Sequence, residues 1–249
     1  MSDSAGVPWE GRHFEPNPAA DDDGSAPEPL MAAIGRFRAG EGSEAEVVDA
    51  VRESRLLVAL VAELGDTGVS TLGHTVDKSQ ELAIVTVAGP DGRNVLPAFS
   101  SVTAMSAWNP KARPVPAAGT RVALAAASES TELVVLDPTS DTEFAIRRPA
   151  LWAIAQSEPW IPSYLDPEVL RAFMDAAAPE PTVLAVTLAP GDPAARLAGP
   201  ELVVRLALIE GLDRASLDAV IARLQGRWAA SEIITTRVDS LRVQLLSAV

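Results

Sequence analysis

The residues able to do chemistry are few, and they are scattered. There are two histidines, His13 and His74. An imidazole used as base or ligand needs partners at a fixed spacing. His13 stands in a proline-spotted N-terminal stretch and His74 in a loop, with no third ligand at a metal spacing, so both read as solvated. Cysteine is absent, which removes disulfides, thiolate nucleophiles and zinc-thiolate sites together. "GDTGVSTLGH" (65–74) is glycine-spaced but lacks the lysine of a phosphate-binding loop, and no G-x-G-x-x-G occurs. Ser100 and Ser101 fall at a strand-to-helix turn, where a nucleophile can be exposed. The G-x-S-x-G elbow is missing, however, and capping a helix explains both serines. Asp21, Asp22 and Asp23 read as solvated carboxylates, and Asp137 before Pro138 as turn chemistry. No catalytic, cofactor-binding or metal-binding residue is assigned, and no cofactor is expected.

The least bland stretch is "LPAFSSVTAMSAWNP" (96–110) with the cations that follow it. Phe99, Ser101, Trp108, Lys111 and Arg113 make up a candidate interaction patch. In one reading Phe99 and Trp108 seal the edge of a sheet. In the other the aromatics and cations are exposed, and take a peptide by strand addition or an acidic segment through Arg113. The chain's own acidic N-terminus, which carries Trp9 and Phe14, is a candidate occupant.

The elements that must position these residues follow from periodicity. Residues 1–27 read as a disordered acidic tail: four prolines, an Asp run and almost no aliphatic side chains. "EPLMAAIGRFRAG" is a helix that stops at Gly40, and "SEAEVVDAVRESR" is a second, with Ser43 and Glu46 as a capping box. Together they form an αα-hairpin. "RLLVALVAE" (55–63) is a strand buried on both faces. "ELAIVTVAG" (81–89) and "RNVLPAFS" (93–100) form a hairpin, with Pro97 marking an edge strand or a bulge. The spacing predicts a helix at "VTAMSAWN", another at 121–130, a hairpin of "TELVVLDP" with "TEFAIR", and a helix over 148–156.

At "SEPWIPSYLDP" (157–167) three prolines, Trp160 and the sole tyrosine mark a junction. Asp166 caps the next helix, with Pro167 at its first position. Two strands, a helix and a closing strand "LRVQLLSAV" (241–249) follow. The helix carries Leu217, Val220, Ile221, Leu224 and Trp228 in one stripe. The fold class is α+β. The divisions are a tail (1–27), an N-terminal domain (28–157) with a mixed or antiparallel sheet and covering helices, and a C-terminal α-ββαβ domain (158–249).

Of the 249 residues 47% are hydrophobic, enough for a core, but only 4% are aromatic. The formal net charge is −14, and residues 1–50 alone hold eleven acidic against three basic side chains. That balance excludes nucleic acid and anionic lipid as main partners, since both need clustered Lys and Arg. The 18 arginines against two lysines read as genome composition. The opening stretch has no charged-then-apolar signal, and "LLVALVA" is too short to span a bilayer, so a cytoplasmic protein is expected.

A strand hairpin, "LPAFSSVTAMSAWNPKARPVP", an alanine-rich helix and "ELVVLDP" occur in an order that resembles the N-terminal domain of the SseB family (enhanced serine sensitivity type), in its actinobacterial form. The likeness covers residues 30–155. It implies an α+β fold and almost no chemistry. A type III secretion translocator shares the name, but the long coiled coil and amphipathic membrane segment of that role are missing. The function expected is a non-enzymatic, cytosolic interaction or scaffold module with an unknown protein or peptide partner, its two units sharing a groove near "WIPSYLD". One alternative is a small-molecule binder or enzyme with a site assembled from separate loops. Another is a homo-oligomer paired through the terminal strand.

Overall fold

The computed structural model describes residues 22–63, 81–90, 92–128 and 131–247. The expectations placed on Trp9, His13, Phe14, Asp21 and the loop carrying His74 lie outside these residues. The fold is α+β.

Two helices open it, α1 (Glu28–Ala39) and α2 (Glu44–Glu53). Gly40 ends α1 in the left-handed region (φ 73°), and Ser43 Oγ accepts from Glu46 N to start α2. Residues 22–27, the end of the expected tail, are tied to the body: Asp22 pairs with Arg55 at 2.7 Å, and Gly24 O accepts from Val102 N.

A seven-stranded sheet follows: β1 (Arg55–Glu63), β2 (Glu81–Ile84), β3 (Val87–Ala88), β4 (Asn94–Phe99), β5 (Arg113–Ala118), β6 (Leu133–Leu136) and β7 (Phe144–Arg147). Three helices belong to it: α3 (Val102–Trp108), α4 (Gly119–Ser128) and α5 (Arg148–Gln156). One face packs on α1, α2, α4 and α5 through Leu56, Val58, Leu96, Val134 and Phe144. The opposite face holds Leu57, Ala59 and Phe99 under α3. The unbroken apolar run of β1 thus serves two cores at once.

The expected hairpin of 81–89 with 93–100 forms only at β3, because β2 pairs with β1, and Pro97 departs from expectation as well. Pro97 lies inside the sheet, neither at an edge nor in a bulge, with β6 along one side of β4 (Pro97↔Val135). On the other side β4 pairs with β3 at Val95 and with β1 at Phe99. Leu96 and Pro97 have no ladder partner on that side, and Val85 N donates to Ala59 O, the carbonyl that Pro97 would otherwise face. The strands diverge where proline has no N–H to give. β5 is a strand despite Pro114 and Pro116, pairing with β1 from Arg55↔Ala118 to Leu60↔Arg113. Gly119 N donates to Ser54 O, so the prolines occupy the alternate positions whose N–H would point away from β1.

The second unit begins with α6 (Pro167–Ala177), capped by Asp166. Strands β8 (Val183–Pro190), β9 (Leu202–Leu208) and β10 (Leu241–Ser247) form a sheet in the order β10-β9-β8, and β9 and β10 run parallel. Helices α7 (Arg214–Ala229) and α8 (Glu232–Arg237) make the crossover. This is the expected ββαβ unit, with α8 as an addition capped by Ser231. Val220, Leu224 and Trp228 of the α7 stripe are buried, and Leu217 and Ile221 pack around them.

Arginines join the two units. Arg93 binds both oxygens of Asp239 at 2.9 and 3.0 Å. Arg148 donates to Thr235 O and Val238 O, while Arg38 reaches Ala194 O and Glu143 O. The loop 191–200 lies on the edge of β7, where Ala145 N donates to Ala195 O at 2.7 Å. Gly191 and Gly199 close that loop so tightly that a Cβ on Gly191 would stand 2.2 Å from Pro200 O. Planar guanidinium forks suit this bridging of carbonyls and carboxylates, so the arginine excess has a structural use beyond composition.

Candidate functional site

The residues singled out at 96–113 divide between core and surface. Phe99 is fully buried, and its ring centroid lies 5.3 Å from that of the half-buried Trp108, at 46°. With Met105 they seal α3 onto the sheet. Ser101 Oγ accepts from Ala104 N and caps α3, as its position predicts. Ser100 does not cap. It is buried, and both its N–H and its Oγ–H donate to Asp137, each at 2.7 Å. Asp137 also accepts from Thr142 Oγ1. This Ser–Asp pair has no base between its members and no open face, so it anchors the turn. Lys111 and Arg113 are exposed beyond the aromatic pair. Strand addition at β5 meets an edge from which Pro114 and Pro116 have removed two outward donors.

A different surface brings large apolar side chains into the open. Between α5, residues 158–161 and the end of α8 runs a groove of about 450 Å³. Trp152 and Ile161 line it at 42% and 54% exposure. Arg148 lies 5.3 Å over the Trp152 ring while it holds the carbonyls of Thr235 and Val238 at the end of α8, which fixes one wall to the other. Arg237 forms the far wall and is held by Asp166 at 3.0 Å. Arg52 grips Glu158 O, so the segment between the units is tied to α2. A wider hollow of about 910 Å³ lies between residues 22–29 and α2, but its walls carry Asp22, Glu28, Asp49 and Glu53 and no large apolar side chain to anchor a partner.

Trp160 belongs to the groove and also to a small cavity beneath it, about 20 Å³, lined by Glu44, Arg147, Asp192 and Glu201. Arg147 is buried; it donates to Asp192 at 2.7 Å and to Asp239 at 3.2 Å. Burial works to raise the Asp239 carboxyl, but Arg93 and Arg147 outweigh it and hold the group below its ordinary range. Glu201 Oε2 accepts from Asp239 N at 2.5 Å. Its Oε1 and the hydroxyl of Ser163 are buried without a hydrogen-bond partner among the described residues. Burial raises Glu201, opposed by the Asp239 N–H and by the Ser163 hydroxyl that faces it. Glu44 is pushed up to about 7, first by burial and then by the charges of Glu201 and Asp192, against Arg147 and a hydrogen bond from Tyr164. Tyr164 in turn is raised to about 12, by burial and then by Glu44 and Glu201.

No sequence signal joins Glu44 to Glu201, which stand far apart in the chain, nor does any mark Trp152 as exposed. The groove does fall at "WIPSYLD", the stretch that its prolines and aromatics pick out as a junction.

Residues 30–153 match the family model described as the SseB protein N-terminal domain. No curated protein and no solved structure matches the chain.

Proposed function

The chain belongs to the SseB family through residues 30–153, and on that footing we propose that it is a non-enzymatic protein-interaction module whose contact surface is the groove beside Trp152. One observation carries this reading. In a chain with five tryptophans, Trp152 stands open on a rigid helix, in the same groove as Ile161 and between charged walls. Large aromatic side chains framed by charge are the usual anchors of protein contacts. A site made for a substrate would show convergent polar groups in a roomy pocket. The cavity lined by Arg147 and carboxylates has the polar groups, but its 20 Å³ admits about one water.

The test is capture of partners by the intact protein from a lysate of cells that express it, with two folded variants beside it. A partner lost with Trp152→Ala/Ile161→Ala and kept with Lys111→Ala/Arg113→Ala supports the groove. It should also protect residues 148–166 from hydrogen exchange. The reverse pattern returns the contact to the patch after α3, and no partner in any sample sinks the interaction reading.

A second reading has its own observation. β10 lies at the edge of its sheet with Leu245 and Leu246 exposed, as pairing of two copies through that strand requires. Light scattering decides it: a multiple of 26.1 kDa supports pairing, and 26.1 kDa removes it.

A further inference from the structure

A sheet edge invites pairing unless something blocks it. Among the described strands, β5 is blocked by Pro114 and Pro116. β7 is covered by the loop 191–200, through Ala145 N and Ala195 O. β8 shifts register between Val183 and Ala185, and β2 and β3 are only four and two residues long. β10 is the exception. It has seven residues in unbroken register, no proline, and Arg242 as its single charge.

The ladder to β9 tells which groups of β10 are free. Leu241 pairs with Leu202, and Leu202 N donates to Ser240 O. In a parallel ladder this turns the even-numbered residues of β10 toward β9. The backbone groups of Leu241, Val243, Leu245 and Ser247 therefore face outward. Side chains alternate between the two faces of the sheet. Leu241 and Val243 pack toward the helices, and Leu245 follows them, while Leu246 points to the opposite face. Leu245 and Leu246 are 44% and 40% exposed, one on each face.

We propose, on the reading that two copies pair through β10, that they do so antiparallel about a two-fold axis at Gln244, so that two three-stranded sheets become one of six strands. This register engages all four outward residues: Leu241 with Ser247 of the other copy, and Val243 with Leu245. It also covers both exposed leucines. Leu245 comes to lie beside Val243 of the other copy, and Leu246 beside the stem of its Arg242. Beyond Ser247 the sequence reads Ala248-Val249. In this register that stretch leads past Ser240 and Asp239 of the other copy, which with Trp228, Ile234 and Val238 line a hollow of about 490 Å³, an apolar seat for two apolar residues. Charge fits as well. A chain of net −14 repels its copy, but β10 brings no carboxylate to the contact, and the two Arg242 side chains stand at opposite ends of it. The strand meets each of these needs with its own residues, which favours a second copy over a foreign strand.

The chain has no cysteine, so single introduced thiols read the register. Gln244 stands on the axis in a non-hydrogen-bonded pair, where Cα atoms lie about 4.5 Å apart, within disulfide reach. In the full chain under mild oxidant, Gln244→Cys should give a covalent dimer of twice 26.1 kDa. It should form on the order of tenfold faster than with Arg242→Cys or Leu246→Cys, whose Cα atoms stand roughly 14 Å from their copies. Leu245→Pro removes one outward N–H, as the prolines of β5 do, and should halve the mass in light scattering while circular dichroism stays unchanged. If Leu245→Pro does not fold, Leu245→Lys is read in the same way. A wild-type mass of 26.1 kDa refutes pairing and register together. A dimer that survives both Leu245 variants refutes pairing through β10. A dimer lost in those variants, but cross-linked fastest by Val243→Cys or Leu245→Cys, overturns the axis at Gln244 and leaves the pairing standing. If Gln244→Cys stays monomeric when pure and cross-links to another protein in lysate, the edge belongs to a foreign strand and the proposal falls.

Discussion

Replacing Asp137 by alanine should be among the most damaging single changes outside the apolar core. Its carboxylate accepts from Ser100 N and Ser100 Oγ at 2.7 Å each and from Thr142 Oγ1 at 3.0 Å, and all of this is buried or nearly so. Alanine removes three charge-assisted bonds and leaves the Ser100 N–H and hydroxyl without partners in a dry site. Each such orphan costs about 1–3 kcal/mol. Asp137 also has φ 45°, a left-handed conformation that Asp and Asn tolerate and alanine resists at about 1 kcal/mol. The combined loss comes to about 4 kcal/mol, a large share of the ~5–15 kcal/mol that holds a domain folded. Asp137→Asn keeps the backbone preference and one acceptor, and should lose about half as much. Urea denaturation followed by tryptophan fluorescence measures both, since Trp108 sits on the helix that this turn launches. Ser100→Ala should add little in the Asp137→Ala background, because the two share one set of bonds. If Asp137→Ala lies within 1 kcal/mol of wild type, or if Ala and Asn cost the same, the anchor assigned to this turn is wrong.

The Glu44 carboxyl, raised to about 7 when folded against 4.5 when exposed, binds more protons in the native state over that window. Stability should therefore fall by up to about 3 kcal/mol as pH rises from 4.5 to 7 and then level off, and Glu44→Gln should flatten the curve; thermal melts across pH check it. Trp152→Ala should leave stability within about 0.5 kcal/mol of wild type, while Trp228→Ala, from a site only 4% exposed, should cost about 3–5 kcal/mol by the same denaturation assay. Arg147→Met strands Asp192 in the seam and leaves Asp239 to Arg93 alone, and should cost about 3–5 kcal/mol and expose the chain to limited proteolysis between the units. Glu180 is held at about 2, first by its hydrogen bond from Arg223 and then by Arg227, so its help is present above 4.5 and lost only as pH falls toward 2; carboxyl chemical shifts should show it ionised at pH 3.5.

Local signals in the sequence were sufficient where the physics is local. The Ser43–Glu46 box, Gly40, the Asp166-Pro167 start and the stripe through Leu224 each depend on neighbours within a turn or two, and each gives the element expected of it. The readings failed where a distant partner decides. Pro97 looks like an edge residue, because nothing in the sequence says that two partner strands separate beside it. Pro114 and Pro116 hide β5, because proline is compatible with a strand whose outward N–H groups need no partner. Ser100 resembles its neighbour Ser101 in sequence, and only Asp137 tells them apart. The groove was half legible: "WIPSYLD" marks the junction, but the exposure of Trp152 depends on how α5 meets α8.

The seam raises a question of energetics that bears on function. A contact kept only for stability would be better served by apolar side chains of similar size, because buried charges seldom recover their desolvation. The junction instead places Glu44, Glu201 and the Arg147 ion pairs behind the segment that carries Trp160 and Ile161. Pro159, Pro162 and Pro167 stiffen that segment. Arg52 at Glu158 and Arg237 at Asp166 hold its two ends, and Pro162 O, which accepts from Leu165 N and Asp166 N, ties its buried centre.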